Sequence, residues 1–169
     1  EVIVLGAGVA GCATAYYLAR EGASVRVLER DAIGSCASGY AIGLVNPING
    51  MGIPGSVQPL AEAAYEMHKE LWPTLQEEAD TDIQVRSMPH LELFLSAEEV
   101  SDRQEEITRW SEAKGFSARW LEPAEVHALE PWITQDLHAA VLLESVGVLD
   151  AYRFTLALAQ AAERHGAVF

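Results

Sequence analysis

The chain has 169 residues, half of them hydrophobic, with 21% charged residues and a formal net charge of −14. Its isoelectric point is near 4.6. That is enough chain for one domain core, or one and a half small ones, and too apolar for a disordered polyanion. The acidity argues against a surface for nucleic acid or anionic membrane, which needs clustered Lys and Arg.

Val2, Ile3, Val4 and Leu5 open the sequence as an unbroken apolar run, which predicts a parallel strand buried on both faces. Gly6-Ala7-Gly8-Val9-Ala10-Gly11 follows at once, a G-x-G-x-x-G. Ala10, Ala13, Thr14, Tyr17 and Leu18 then recur at helical spacing to Arg20, and Gly22 stops the helix. Val25, Val27 and Leu28 form a second strand that ends on Glu29. The order is strand, glycine turn, helix, strand, acid.

Each glycine has a physical task. Gly6 permits the turn off the strand, Gly8 lets backbone approach a pyrophosphate, and Gly11 lets helix and strand pack closely. The helix N-terminus presents amide hydrogens and partial positive charge to phosphates. Glu29, about twenty residues downstream, is placed to accept ribose hydroxyls, and its charge disfavours a 2′-phosphate and hence NADP. The pattern predicts dinucleotide binding. A tight βαβ turn without ligand leaves three glycines unexplained.

Asp31 to Gly55 is rich in Gly, Ser, Ala, Asn and Pro, too long for an idle connection. It reads either as a surface excursion or as a second, backbone-lined wall of the ligand site. Ser38 is placed to donate to a phosphate, and Gly43-Leu44 to pass backbone along a flat ring. Ile42, Leu44, Val45, Ile48, Met51 and Ile53 favour burial of this loop. Tyr40, Asn46 and Asn49 face either substrate or the turns themselves.

Residues 56–80 predict a long amphipathic helix with Ala63, Ala64, Met67, Leu71 and Leu75 on one face, kinked or split at Pro73. Residues 82–86 and 90–95 predict an antiparallel hairpin around Ser87-Met88-Pro89, alternating Ile83, Val85 and Leu91, Leu93, Leu95. Ser96 to Glu99 is a capping box for a polar helix to about Lys114, closed by Gly115. A short strand at 118–121, a helix at 123–129 with Pro123 near its start and a strand at 139–143 follow. Asp150 caps a last helix, 151–164, ended by Gly166, and Ala167-Val168-Phe169 begins another strand.

A simple NAD domain would return to a third parallel strand soon after Glu29. Here a loop, a long helix and a hairpin intervene, so the order predicts a second domain inserted into the first. Cys12 and Cys36 have neither C-x-x-C nor metal spacing and read as free thiols of a reducing, cytoplasmic compartment. No signal peptide or transmembrane run is visible. The first residue already being strand implies a missing short N-terminal piece. His68, His127 and His165 are expected to face solvent on helices, with His90 and His138 at strand edges and no metal site. Trp72, Trp110, Trp120 and Trp132 are expected in cores or domain contacts.

The segments VIVLGAGVAGCATAYYLAREGASVRVLER, GSCASG and GLVNP resemble the D-amino-acid-oxidase-type flavoproteins, the group that holds glycine and sarcosine oxidases. DTDIQVRSMPHLELFLSAEEV, WLEPAEVHALEP and ESVGVLDAYRFTLALAQAAERHGAVF extend the resemblance, closest to glycine oxidase, over essentially the whole chain. The resemblance implies an α/β fold: a Rossmann-like FAD-binding βαβ domain with an inserted α+β substrate domain on an antiparallel sheet, truncated at its C-terminus. Residues 1–55 would start the FAD domain, 56–148 would be mostly substrate domain and connecting helices, and 149–169 would return to the FAD domain.

FAD is the implied cofactor, bound extended. Gly6, Gly8, Val9, Ala10 and Gly11 would hold the pyrophosphate, and Glu29 and Arg30 the adenosine ribose. Ala37 and Ser38 would flank the phosphates, and Ile42, Gly43 and Leu44 would line the flavin side. The sequence carries Cys36-Ala37-Ser38-Gly39 where G-A-S-G is commoner. The implied reaction oxidises an amine or small amino acid to an imine by hydride transfer to flavin, and water then hydrolyses the imine. Arg86 is a candidate for the substrate carboxylate, against the simpler role of a solvated strand end. No catalytic residue is assigned, because the resemblance places the carboxylate-binding Arg and a substrate-side Tyr beyond Phe169. An NAD-dependent dehydrogenase domain and a non-catalytic nucleotide-binding module are the alternatives. The partner is a small-molecule amine or amino acid, with a homo-oligomer left open.

Overall fold

Strand β1 (Val2–Leu5) pairs in parallel with β2 (Val25–Leu28), Val2 opposite Val25 through Leu5 opposite Leu28. The computed structural model describes residues 1–46, 55–112 and 117–169, without the side chains of Trp110, Ser111 and Ser145. The expectations for Ile48, Asn49, Met51, Ile53, Lys114, Gly115 and the Trp110 side chain lie outside the described residues. Two compact units divide the chain: Glu1–Val45, Leu60–Arg86 and Val148–Phe169 form the first, and Asn46–Pro59 with Ser87–Gly147 the second.

In the first unit, helix α1 (Val9–Arg20) connects β1 to β2. Its buried residues are Cys12, Ala15, Tyr16 and Ala19, one step round from the expected face, while Ala10 and Thr14 are exposed. Small side chains face the strands because Gly11 brings the helix axis close. Val25 and Val27 sit in this core, but Ile3 is 59% and Leu5 80% exposed. The expectation of a strand buried on both faces is therefore corrected: among the described residues only one face of β1–β2 is covered. Val168 forms a parallel bridge with Arg26, so the last residues do start to extend the sheet, on the β2 side.

Helix α5 (Ala151–Arg164) covers that sheet beside α1, burying Phe154, Ala157, Leu158, Ala161 and Ala162. Asp150 caps it, its carboxylate accepting from the Arg153 amide at 2.8 Å. The two-residue strand β3 (Leu44–Val45) lies within the glycine-rich loop. Helix α2 (Gln58–Glu78) runs on through Pro73, with no split, and buries Tyr65, Leu71 and Leu75. Met67 and Ala63, expected inside, are exposed. Leu71, Leu75, Ala79 and Ile83 belong to the core of α1 and α5. The compact units thus part company with the expected division at residue 56, since 60–86 packs with the glycine-turn unit. Arg164 fastens the far ends of α5 and α2, reaching Asp80 at 2.7 Å and the Glu77 carbonyl at 3.3 Å.

The expected hairpin is absent. Residues 82–85 are not strand, and one strand, β4 (Arg86–Phe94), runs straight through Ser87-Met88-Pro89. Ile83 is buried in the first unit's core, and Gln84 takes a positive φ of 54°, its amide donating to Asp82 Oδ1 at 2.9 Å. That Asx-type turn redirects the chain before β4 begins. At the end of β4, Phe94 is buried while Leu93 and the following Leu95 are exposed, and of the expected set Leu91, Leu93 and Leu95 only Leu91 packs on the second unit's core.

In the second unit, helix α3 (Ala97–Glu112) opens on the predicted capping box. The Ser96 hydroxyl accepts from the Glu99 amide at 3.2 Å, and the Glu99 carboxylate accepts from the Leu95 and Ser96 amides. Strand β5 (Ala118–Leu121) and helix α4 (Pro123–Leu129) match expectation. Strand β6 (Ala139–Val148) is twice the predicted length. It pairs antiparallel with β5 and also borders β4. Leu121, Val126, Leu137 and Ala140 form one buried cluster of this unit, and Phe94, Ile107, Val141, Leu143 and Val146 are buried in the unit as well. Trp132, expected in a core or a domain contact, is 94% exposed and so lies in no core.

Candidate functional site

The glycine turn is built by exclusion. Gly6 sits at φ +95°, a conformation side chains disfavour. A Cβ on Gly11 would collide with the Gly6 carbonyl, so close helix–strand packing is fixed by that residue. Gly8 is the N-cap of α1, with extended backbone and no side-chain cap. The first turn of α1 contains no acidic residue. The Cys12 amide closes the first helical bond onto Gly8 at 2.9 Å, which leaves the Ala10 and Gly11 amides without an intrahelical acceptor.

Ser38 lies across this helix end. It stands in a 3-10 turn, Ala37–Gly39, and its hydroxyl accepts from the Val9 amide at 3.0 Å. A Cβ on Gly8 would lie 3.0 Å from the same oxygen. Because that oxygen is acceptor to Val9, its own hydrogen remains to be donated outward. The Gly34 amide ties the loop back to the turn, donating to the Ala7 carbonyl at 2.9 Å.

Glu29 closes the other side. Its carboxylate accepts from the Ala7 amide at 2.8 Å and the Asp31 amide at 3.0 Å. Those two backbone bonds, Ala7 first, hold its carboxyl below the ordinary glutamate value. A carboxylate has about four lone-pair sites, so two occupied ones leave acceptor capacity. Burial, then the Glu29 charge, pushes the Cys12 thiol up to about 12, and its Sγ lies 3.5 Å from the Ala7 carbonyl. Cys12 is thus an inert filler beneath the turn.

The other candidate residues are spread more widely. Ala37 is exposed beside Ser38. Arg30 is exposed and paired with Asp31 at 3.1 Å. Ile42 is 83% exposed. Gly43 holds φ +74° against the Leu149 carbonyl, where any Cβ would collide, and Leu44 follows half-buried. The site therefore gathers Gly6, Gly8, Val9, Ala10, Gly11, Glu29 and Ser38. Arg30 adjoins that group through its backbone bond and charge at Glu29, while no described contact joins Ile42 or Leu44 to it. Arg86 stands exposed as the first residue of β4.

The Ala7 and Asp31 amides that shape Glu29 were not foreseen, nor were Gly34 and Gly39 as contact glycines. Their five-residue spacing in a Ser/Gly loop was the available signal. His68, expected in solvent, is half-buried against Trp72 and Phe154, and that burial pushes its pKa below the ordinary value.

The FAD dependent oxidoreductase (DAO) family model matches residues 1–169. The chain belongs to the DAO family of FAD-dependent oxidoreductases. Glycine oxidase of Geobacillus kaustophilus (strain HTA426) is 28% identical over 168 residues, covering 99% of this chain and 44% of that protein. Human mitochondrial sarcosine dehydrogenase is 28% identical over 170 residues, 99% of this chain and 18% of that protein. The crystal structure of glycine oxidase from Geobacillus kaustophilus superposes with a TM-score of 0.89 at 28% identity, covering 99% of this chain and 45% of that one. This DAO-family chain spans less than half the length of the curated relatives it matches. The match favours FAD over the NAD-dependent alternative. No described helix is long and apolar enough to cross a membrane.

Proposed function

We propose that the chain is the FAD-binding portion, with the start of a substrate-side sheet, of an enzyme that oxidises the C–N bond of an amine or small amino acid. The cradle fits FAD. A Cβ on Gly8 would press on Ser38, and the Ala10 and Gly11 amides point from a helix end that has no acidic side chain to satisfy them. On this reading Gly6, Gly8, Val9, Ala10 and Gly11 line the pyrophosphate. The Ser38 hydroxyl donates to a phosphate oxygen while accepting from Val9, and Ala37 flanks it. Glu29 takes ribose hydroxyls on its free lone pairs, with Arg30 beside it. Ile42, Gly43 and Leu44 face the flavin.

The unit containing β1, α1, β2, α2 and α5 is the FAD-binding part, and the unit built on β4, β5 and β6 belongs to the substrate side. Bound FAD would accept the hydride, carrying both electrons, from the carbon next to nitrogen, and loss of a proton from nitrogen would leave an imine that water hydrolyses. The chain's residues bind and orient; none described here is assigned to proton transfer. The substrate class rests on the relatives, whose names specify glycine and sarcosine. Oligomerisation and a cytoplasmic setting belong to the same reading.

The observation that carries the proposal is Ser38 bridged to the Val9 amide over Gly8. The substrate class is tested with the full-length protein under anaerobic conditions. Glycine, sarcosine or a small D-amino acid should bleach the visible flavin absorbance and release ammonia or methylamine. Bleaching by a hydroxy acid or glycerol phosphate, and by no amine, would contradict it.

A further inference from the structure

Tyr152 is the second residue of α5 and is 46% exposed, so burial alone gives little reason for its place. Its ring lies against two glycines at once. The Cδ2 atom is 3.2 Å from where a Cβ on Gly34 would stand and 3.3 Å from where one on Gly39 would stand. Gly34 and Gly39 themselves touch, since a Cβ on Gly39 would collide with the Gly34 carbonyl. Gly34 takes φ +66°, and Thr155, buried and bonded to the Ala151 carbonyl at 2.9 Å, supports it from the next turn.

These contacts bracket Ser38. The 3-10 turn that carries it has only two bonds of its own, Gly39 to the Cys36 carbonyl at 2.9 Å and Tyr40 to the Ala37 carbonyl at 3.3 Å. So short a turn has little intrinsic rigidity. Its position is set by what it rests on: the Gly34 segment, itself tied to the Ala7 carbonyl, and the Tyr152 ring laid over both glycines. Helix α5 is in turn fixed on α1 through the first unit's alanine-rich core. The mechanical path runs from core to Tyr152, to Gly34 and Gly39, to Ser38, to the N-terminus of α1.

We propose that Tyr152 is a positioning residue for the cofactor: its ring, laid over Gly34 and Gly39, holds the Ser38 hydroxyl at the phosphate end of α1. The inference rests on the reading of Ser38 as a phosphate ligand. A hydrogen bond weakens steeply with misalignment, so a loop free to shift loses the ligand without losing the fold.

The test is a double-mutant cycle on FAD affinity, titrating full-length apoprotein with FAD and following flavin fluorescence. Tyr152→Ala should raise the dissociation constant about tenfold, while Tyr152→Phe, which keeps the ring, should stay within about twofold. In a Ser38→Ala background, Tyr152→Ala should add less than about twofold, because the hydroxyl it places is gone. Should Tyr152→Ala not fold, Tyr152→Leu takes its place, with weakening again expected. Multiplying effects of the two substitutions, or a Tyr152→Ala affinity unchanged beside a weakened Ser38→Ala, would overturn the positioning role alone. Unchanged affinity in Ser38→Ala would instead remove the phosphate reading, and this inference with it.

Discussion

Glu29 does two jobs with one carboxylate: it pins the Ala7 and Asp31 amides and still presents lone pairs outward. Its carboxyl is held below the ordinary value of 4.5, so the folded state gains from its ionised form. The gain is complete above that ordinary value and is lost as pH falls through the lower, folded value. The stability difference between wild type and Glu29→Gln should therefore narrow when urea midpoints are measured progressively below pH 4.5, and a constant difference would contradict this. Gly11→Ala tests packing instead. Its Cβ meets backbone, which cannot swing aside, so a loss of about 3 kcal/mol is expected in the urea midpoint. Gly11 was legible from sequence because its task is local to the motif. His68 and Trp132 were not, because spacing locates a residue along its element and says nothing about what packs over it.

Helix and strand boundaries were mostly legible where capping chemistry is local. Ser96 and Glu99 form the box their spacing implied, and Ser96→Ala should lower stability by about 1 kcal/mol in thermal unfolding. No change would mean the cap is not holding α3. Pro73, read as kinking or splitting α2, does not split it: the helix continues through that residue. Proline at an exposed interior position removes one helical hydrogen bond, so Pro73→Ala should raise the melting temperature, by about 1 kcal/mol or more of added stability. The expected hairpin is absent for a tertiary reason. Ile83 and Val85 alternate like a strand, but Ile83 is claimed by the core of α1 and α5. Alternation is the same for a strand residue and for one buried singly at a turn. The Asx turn at Asp82 that decides between them leaves only a weak mark in sequence.

At the scale of the molecule, the order of elements predicts a second domain inserted into the first, because no third parallel strand follows Glu29, and the chain divides into two compact units that alternate along it. The edges of the second unit were hidden. Whether 60–86 joins one unit or the other depends on which core takes Leu71, Leu75 and Ile83, a tertiary choice. The open face of β1–β2, with Ile3 and Leu5 exposed, was equally invisible to a reading of the run itself. Across both units the account depends on one thing, that cofactor phosphates meet the amide end of α1 beside Ser38. The direct measurement is calorimetric titration of FAD into full-length wild type and Gly8→Val. The account predicts stoichiometric binding to wild type, several kcal/mol of added stability at large FAD excess, and loss of both in Gly8→Val with the apoprotein still folded. Equal affinity in the two proteins would contradict it.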